Sequence, residues 1–165
     1  MEYLVRAESF KKYNLIVNNS ISGEMTYMGW FNSHNPSFKI KNINTYRIEK
    51  PSIWKTNFKV ISLNQVVLEC NFKWNGHVII QLYENDEVKT MTLKLQSIWK
   101  SNYTLFNELG NEILKVECNY SWKNWKTNYN IHEHINFATS NKEILYLSLI
   151  HCIIVLKNMA AAAGA

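Results

Sequence analysis

From Tyr3 to Phe137, apolar and polar positions alternate with a period of two, in pieces of five to nine residues separated by polar turns. That alternation predicts strands with one face on a core and the other in water. The pieces pair off along the chain. "YNLIVN" leads through "NSISG" into "EMTYMGWF", "HVIIQLY" through "END" into "VKTMTLKL", and "NYTLF" through "NELGN" into "EILKVEC". Each pair reads as a hairpin. Eleven or twelve such strands are expected, at the spacing of a sandwich or barrel, and no stretch in this region sustains a helical period.

One phrase recurs. "SIWKTNF" (Ser52 to Phe58) returns as "SIWKSNY" (Ser97 to Tyr103), and a shorter "WKTNY" spans Trp125 to Tyr129. If each copy is a strand, alternation puts Trp54 with Phe58, Trp99 with Tyr103 and Trp125 with Tyr129 on one face. Lys55, Lys100 and Lys126 then share the solvated face with the neighbouring Asn residues. Trp54, Trp99 and Trp125 are therefore expected in the core. Downstream, "LECNFKW" (Leu68 to Trp74) matches "VECNYSW" (Val116 to Trp122), so the repeating unit is a hairpin. Repeated hairpins round one core suit a closed barrel, which leaves no exposed sheet edge.

After Phe137 the pattern changes. Ser140-Asn141-Lys142-Glu143 has the form of a capping box, which predicts a helix start. From Ile144 to Leu156 the chain is apolar on every side apart from Tyr146, Ser148 and His151, and an Ala run follows. A helix of that kind must be enclosed by protein or by lipid. The unbroken apolar run is shorter than the roughly 20 residues of a membrane span. Extending it through the Ala tail would place Lys157 in the bilayer, at a cost. The expected architecture is one barrel domain over residues 1–165. Its strands cover about residues 3–137, and a central helix, about residues 141–160, buries Leu147, Ile150 and Ile154.

Composition narrows the function classes. The net charge is +5, but the lysines are scattered and only Lys11 and Lys12 are adjacent, which reads as a solvated surface with a mild attraction for anions. Cys70, Cys118 and Cys152 are odd in number and lack metal-ligand spacing, so neither a disulfide framework nor a structural zinc site is expected. The first ten residues have no basic stretch followed by an apolar run, so no secretory leader is expected, and three free thiols suit a reducing cytoplasm.

Candidate chemistry is sparse. His132 and His134 in "IHEH" fall on one strand face and could share a metal, but a third ligand is missing and Glu133 points the other way. His151 and Cys152 are sequence neighbours, which do not face each other on a helix. No nucleophile elbow, phosphate-binding loop, dinucleotide fingerprint or zinc-protease motif occurs. No enzyme, metal or cofactor is therefore expected. Aromatics expected to face inward leave no stacking platform for nucleic acid.

An antiparallel barrel threaded by a C-terminal apolar helix resembles the tubby C-terminal-like superfamily, which includes tubby proteins, phospholipid scramblases and plant LURP-one-related proteins. The resemblance lies in "MTYMGWF" (Met25 to Phe31), the WKxN-aromatic repeats, "YTLFNELGNEILKV" (Tyr103 to Val116) and the terminal helix, and it covers nearly the whole chain. It implies a twelve-stranded barrel round one buried helix. Tubby domains bind phosphoinositide headgroups through surface basic residues, and here only Lys55, Lys100 and Lys126 offer a counterpart. The Pro-rich and Cys-rich segments of scramblases have none, so scrambling is not implied. The expected function is a non-catalytic binding or adaptor module that meets an anionic phospholipid surface, or a protein, from the cytoplasm. Two alternatives stand beside it: a barrel enclosing a small apolar ligand, and a tail-anchored protein with a soluble β domain. Nothing in the sequence indicates an oligomeric state.

Overall fold

A computed structural model describes residues 3–28, 36–40, 45–50, 56–97, 101–134 and 137–164. Twelve strands follow in order: β1 (Tyr3–Ala7), β2 (Lys12–Val17), β3 (Ser20–Tyr27), β4 (Pro36–Ile40), β5 (Thr45–Glu49) and β6 (Phe58–Ser62). Then come β7 (Gln65–Phe72), β8 (Val78–Glu84), β9 (Glu87–Ser97), β10 (Asn102–Asn107), β11 (Glu112–Ser121) and β12 (Lys126–Glu133). One helix, α1 (Lys142–Ala163), follows them. Each strand pairs antiparallel with the next, and β12 returns to β1 with Tyr3 opposite Ile131, so the barrel closes.

Alternation produces this shape directly. In β1, β4 and β8 every second residue is buried, as in Val78, Ile80 and Leu82. The inward residues form one cluster with the helix. Strands about 4.8 Å apart and tilted about 40° wrap twelve into a ring about 24 Å across. Inward side chains fill the outer part of that space and leave about the 10–12 Å that one helix occupies. Every residue of α1 from Ile144 to Val155 is buried, Leu147, Ile150 and Ile154 among them. A helix apolar on every side is thus enclosed on every side, by protein. Its closest seat is at Gly23 of β3, where a Cβ would stand 2.9 Å from Ile40 Cδ1 and 3.3 Å from Leu147 Cδ1.

Two hairpins turn more tightly than their polar runs predict, and β6–β7, for which no turn is predicted, turns in the same way. Asn18-Asn19, Leu63-Asn64 and Asn85-Asp86 each place two successive residues at positive φ, the signature of two-residue type I′ turns. Residues 20–23 of "NSISG" therefore belong to β3 and not to a loop. The capping box does not form either. Asn141 is the N-cap and makes no side-chain cap bond. Ser140 instead gives its backbone N–H (2.7 Å) and its hydroxyl to Glu84 Oε1. Burial opposes ionisation of Glu84, but hydrogen bonds from Ser140, Lys89 and Thr139 outweigh it and hold the carboxyl at about 2. The helix entry is thus fixed to the end of β8 by a carboxylate.

The core expectation fails at Trp125. Its side chain is 66% exposed, and the residue sits at φ 56°, before β12 begins. Face alternation applies only inside a strand, and Trp125 lies outside one. Trp54 and Trp99 lie outside the described residues.

Candidate functional site

In a barrel of consecutive antiparallel strands, all connections from an odd to an even strand leave from the same end. Here they are residues 8–11, 28–35, 50–57, 73–77, 98–101 and 122–125. The chain has six tryptophans, at 30, 54, 74, 99, 122 and 125, and in sequence every one falls within these segments. The same segments hold six lysines (Lys11, Lys50, Lys55, Lys73, Lys100 and Lys123) and one acid, Glu8. The connections from even to odd strands hold no Trp, one lysine (Lys41) and two acids, Asp86 and Glu108. The barrel is therefore polarised along its axis.

The described part of this rim is exposed and apolar. Trp74 is fully exposed, and Trp122, Met28 and Phe10 are mostly so. In the β11–β12 hairpin, Tyr120 and Trp122 meet edge to face at 5.0 Å between ring centroids, and Trp122 meets Trp125 at 6.4 Å. Holding a bulky residue such as Trp125 in the left-handed region costs roughly 1–2 kcal/mol. Contiguous exposed apolar patches mark interaction surfaces, whereas single exposed apolar residues do not.

The repeat phrase now has a local explanation. In the third copy Trp125 sits in a connection, Asn128 lies just past the end of the β1–β12 ladder, and Tyr129 is the first buried residue of β12. Asn57 Oδ1 accepts from Phe72 N at 2.9 Å and Asn128 Oδ1 from Ala7 N at 3.0 Å, each satisfying a strand-end N–H. Phe58, Tyr103 and Tyr129 are buried. Lys126 donates to the Glu8 carbonyl at 2.7 Å, which ties the first residue of β12 to the β1–β2 connection. Lys73 and Lys123 are exposed. Lys55 and Lys100, the other two sequence candidates for anion binding, lie outside the described residues.

Two cavities open at this end. One, about 180 Å³, lies between Phe10, Tyr13, Trp125, Lys126, Tyr129 and Lys157. Lys157 Nζ stands 5.6 Å from the centroid of the Tyr129 ring. The other, about 450 Å³, runs between the β7–β8 connection, the end of β9 and the α1 face at Leu156 and Ala160. Both sit at the barrel mouth beside α1, where the helix leaves the core.

The remaining candidates are structural in their contacts. His132 Nε2 is 3.6 Å from Glu117 Oε2, and the His134 N–H donates to the Ile113 carbonyl at 2.9 Å. Glu133 binds Lys142 at 2.9 Å and accepts from the Tyr146 hydroxyl. Among the described residues, no three His, Cys, Asp or Glu side chains stand close enough to share a metal ion. His151 is fully buried, its Nδ1 2.8 Å from the Tyr27 hydroxyl and its ring against Phe58. Burial, and secondarily the charge of Lys50, lower its pKa to about 3, so it is neutral.

The aromatic rim escaped the reading by strand faces. The signal that finds it is the parity of the connections, which becomes usable only once the strands are counted. Against known proteins, no family model, no curated protein and no solved structure matches this chain, so the barrel plan and its polarised rim stand on their own geometry.

Proposed function

We propose that this barrel is a non-catalytic binding module of tubby-like plan that associates with anionic phospholipid surfaces through its lysine-bearing end, as a peripheral protein of the cytoplasm. The observation that carries this reading is the segregation of charge and aromatic rings. Six lysines and all six tryptophans belong to the connections of one end. Each lysine near an anionic leaflet contributes roughly 1 kcal/mol, and the attraction fades beyond a Debye length. Lys55 and Lys100 belong to this set, and Lys126 opens β12 directly beside it. The family resemblance supports the same direction, since tubby domains take phosphoinositide headgroups with basic residues.

The alternatives find less support. A ligand barrel needs an open interior, and α1 fills this one. A tail anchor needs its apolar helix free, and two-thirds of the most apolar stretch of α1 lies inside the barrel. The test is flotation of the intact chain with vesicles of phosphatidylcholine alone or mixed with phosphatidylserine, at low and high salt. Binding only to the mixed vesicles, weakened by salt, is expected. A chain that stays at the bottom of the gradient with both refutes the proposal.

A further inference from the structure

We infer that the barrel docks end-on, with Phe10, Trp74, Trp122 and Trp125 entering the boundary between headgroups and acyl chains of an anionic bilayer. This rests on the phospholipid reading above and adds a mode to it: insertion of aromatic side chains, and not surface attraction alone.

The rings are the first ground. Indole is a large apolar body with one polar N–H, and it prefers the membrane interface to both water and hydrocarbon. Trp74 is wholly exposed to water, and Trp122 and Trp125 are 78% and 66% exposed. None is needed for the core, which the inward residues of the strands and α1 complete without them.

Charge is the second ground. Lys73 lies next to Trp74 and Lys123 lies within the Trp122–Trp125 turn, both exposed, so cations stand where phosphates would be when the rings are inserted. Acids are nearly missing from these connections, and those of the opposite end carry a net negative charge.

Shape is the third. Connections 8–11 and 122–125 are neighbours on the rim, with Phe10 and Trp125 lining one cavity, and 73–77 rises from the far side of the same rim. Exposed rings on opposite sides of one rim suit a flat, fluid surface better than a peptide in a single groove. Met159 of α1 is also exposed where the helix leaves the barrel on this side.

Intrinsic fluorescence tests this directly, because all six tryptophans belong by sequence to connections of one end. The intact chain is titrated with phosphatidylcholine–phosphatidylserine vesicles carrying bromine at shallow or deep acyl positions. A blue shift and stronger quenching by the shallow label are expected. The variant Trp74→Ser/Trp122→Ser/Trp125→Ser should keep its melting temperature and bind the vesicles roughly tenfold or more weakly. Leu63→Ser/Leu109→Ser, at the opposite end, should bind as the parent chain does. Vesicle binding without quenching, or unchanged by the Trp substitutions, overturns insertion and leaves the lysine-driven reading standing. No vesicle binding by the parent chain overturns both.

Discussion

His151 is the residue whose environment has the clearest consequence. Its ring is enclosed among Tyr27, Phe58 and the helix, and Nε2 has no hydrogen-bond partner. An unfolded chain protonates this imidazole below its ordinary value of 6.5, whereas the folded chain resists until about 3. Between those values the unfolded state binds more protons, so stability falls as the pH falls. The slope from this one group approaches about 1.4 kcal/mol per pH unit. Chemical denaturation from pH 7 to pH 4 should show that loss, and Tyr27→Phe/His151→Phe should flatten it. A parent chain whose stability is level across the window would contradict the buried neutral assignment. Leu63 offers a second test at this scale. It is exposed and sits at φ 47°, in the first position of a type I′ turn. Leu63→Asn relieves a left-handed apolar residue and should stabilise the fold by about 1 kcal/mol, read as a higher denaturation midpoint.

Among the elements, the contact of α1 with β3 and β4 is the most constrained. Gly23 is buried against Ile40 and Leu147, and its missing side chain sets how near the helix comes. Gly23→Val should destabilise by roughly 1–3 kcal/mol through overpacking, read as a lower unfolding midpoint. A neutral result would mean that the helix shifts freely inside the barrel. The strands themselves were legible in the alternation of residues such as Val78, Ile80 and Leu82, because each strand has one dry and one wet face. Turn boundaries were not, since Asn18-Asn19 turns in two residues and the polar Ser20–Gly23 stretch remains in β3. The Ser140 capping box was misread because Glu84, distant in sequence, competes for the same hydroxyl. Trp125 was misplaced because a face pattern carries no information about where a strand begins.

At the scale of the molecule, the closed sheet and its helix share one hydrophobic core. Eight Ile, Leu and Val side chains of α1 are buried between Ile144 and Val155. At roughly 1.5–3 kcal/mol each, their gross contribution is on the order of 12–24 kcal/mol, against a net stability of about 5–15 kcal/mol for a typical domain. A barrel without α1 is therefore expected to unfold. The same geometry gives the molecule a direction: its aromatic, lysine-bearing connections leave one end, and Asp86 and Glu108 lie in those of the other. A peripheral, end-on module requires that α1 stay inside the barrel at the membrane, and a tail anchor requires that it leave.

The most direct measurement is to express the full chain beside a chain ending at Ser140, wash the membranes with alkaline carbonate, and follow both through soluble and membrane fractions. The full chain should be soluble or released by carbonate, and the shortened chain should aggregate. A full chain that resists carbonate, with a shortened chain that is soluble and folded, would contradict the buried helix and with it the polarised barrel.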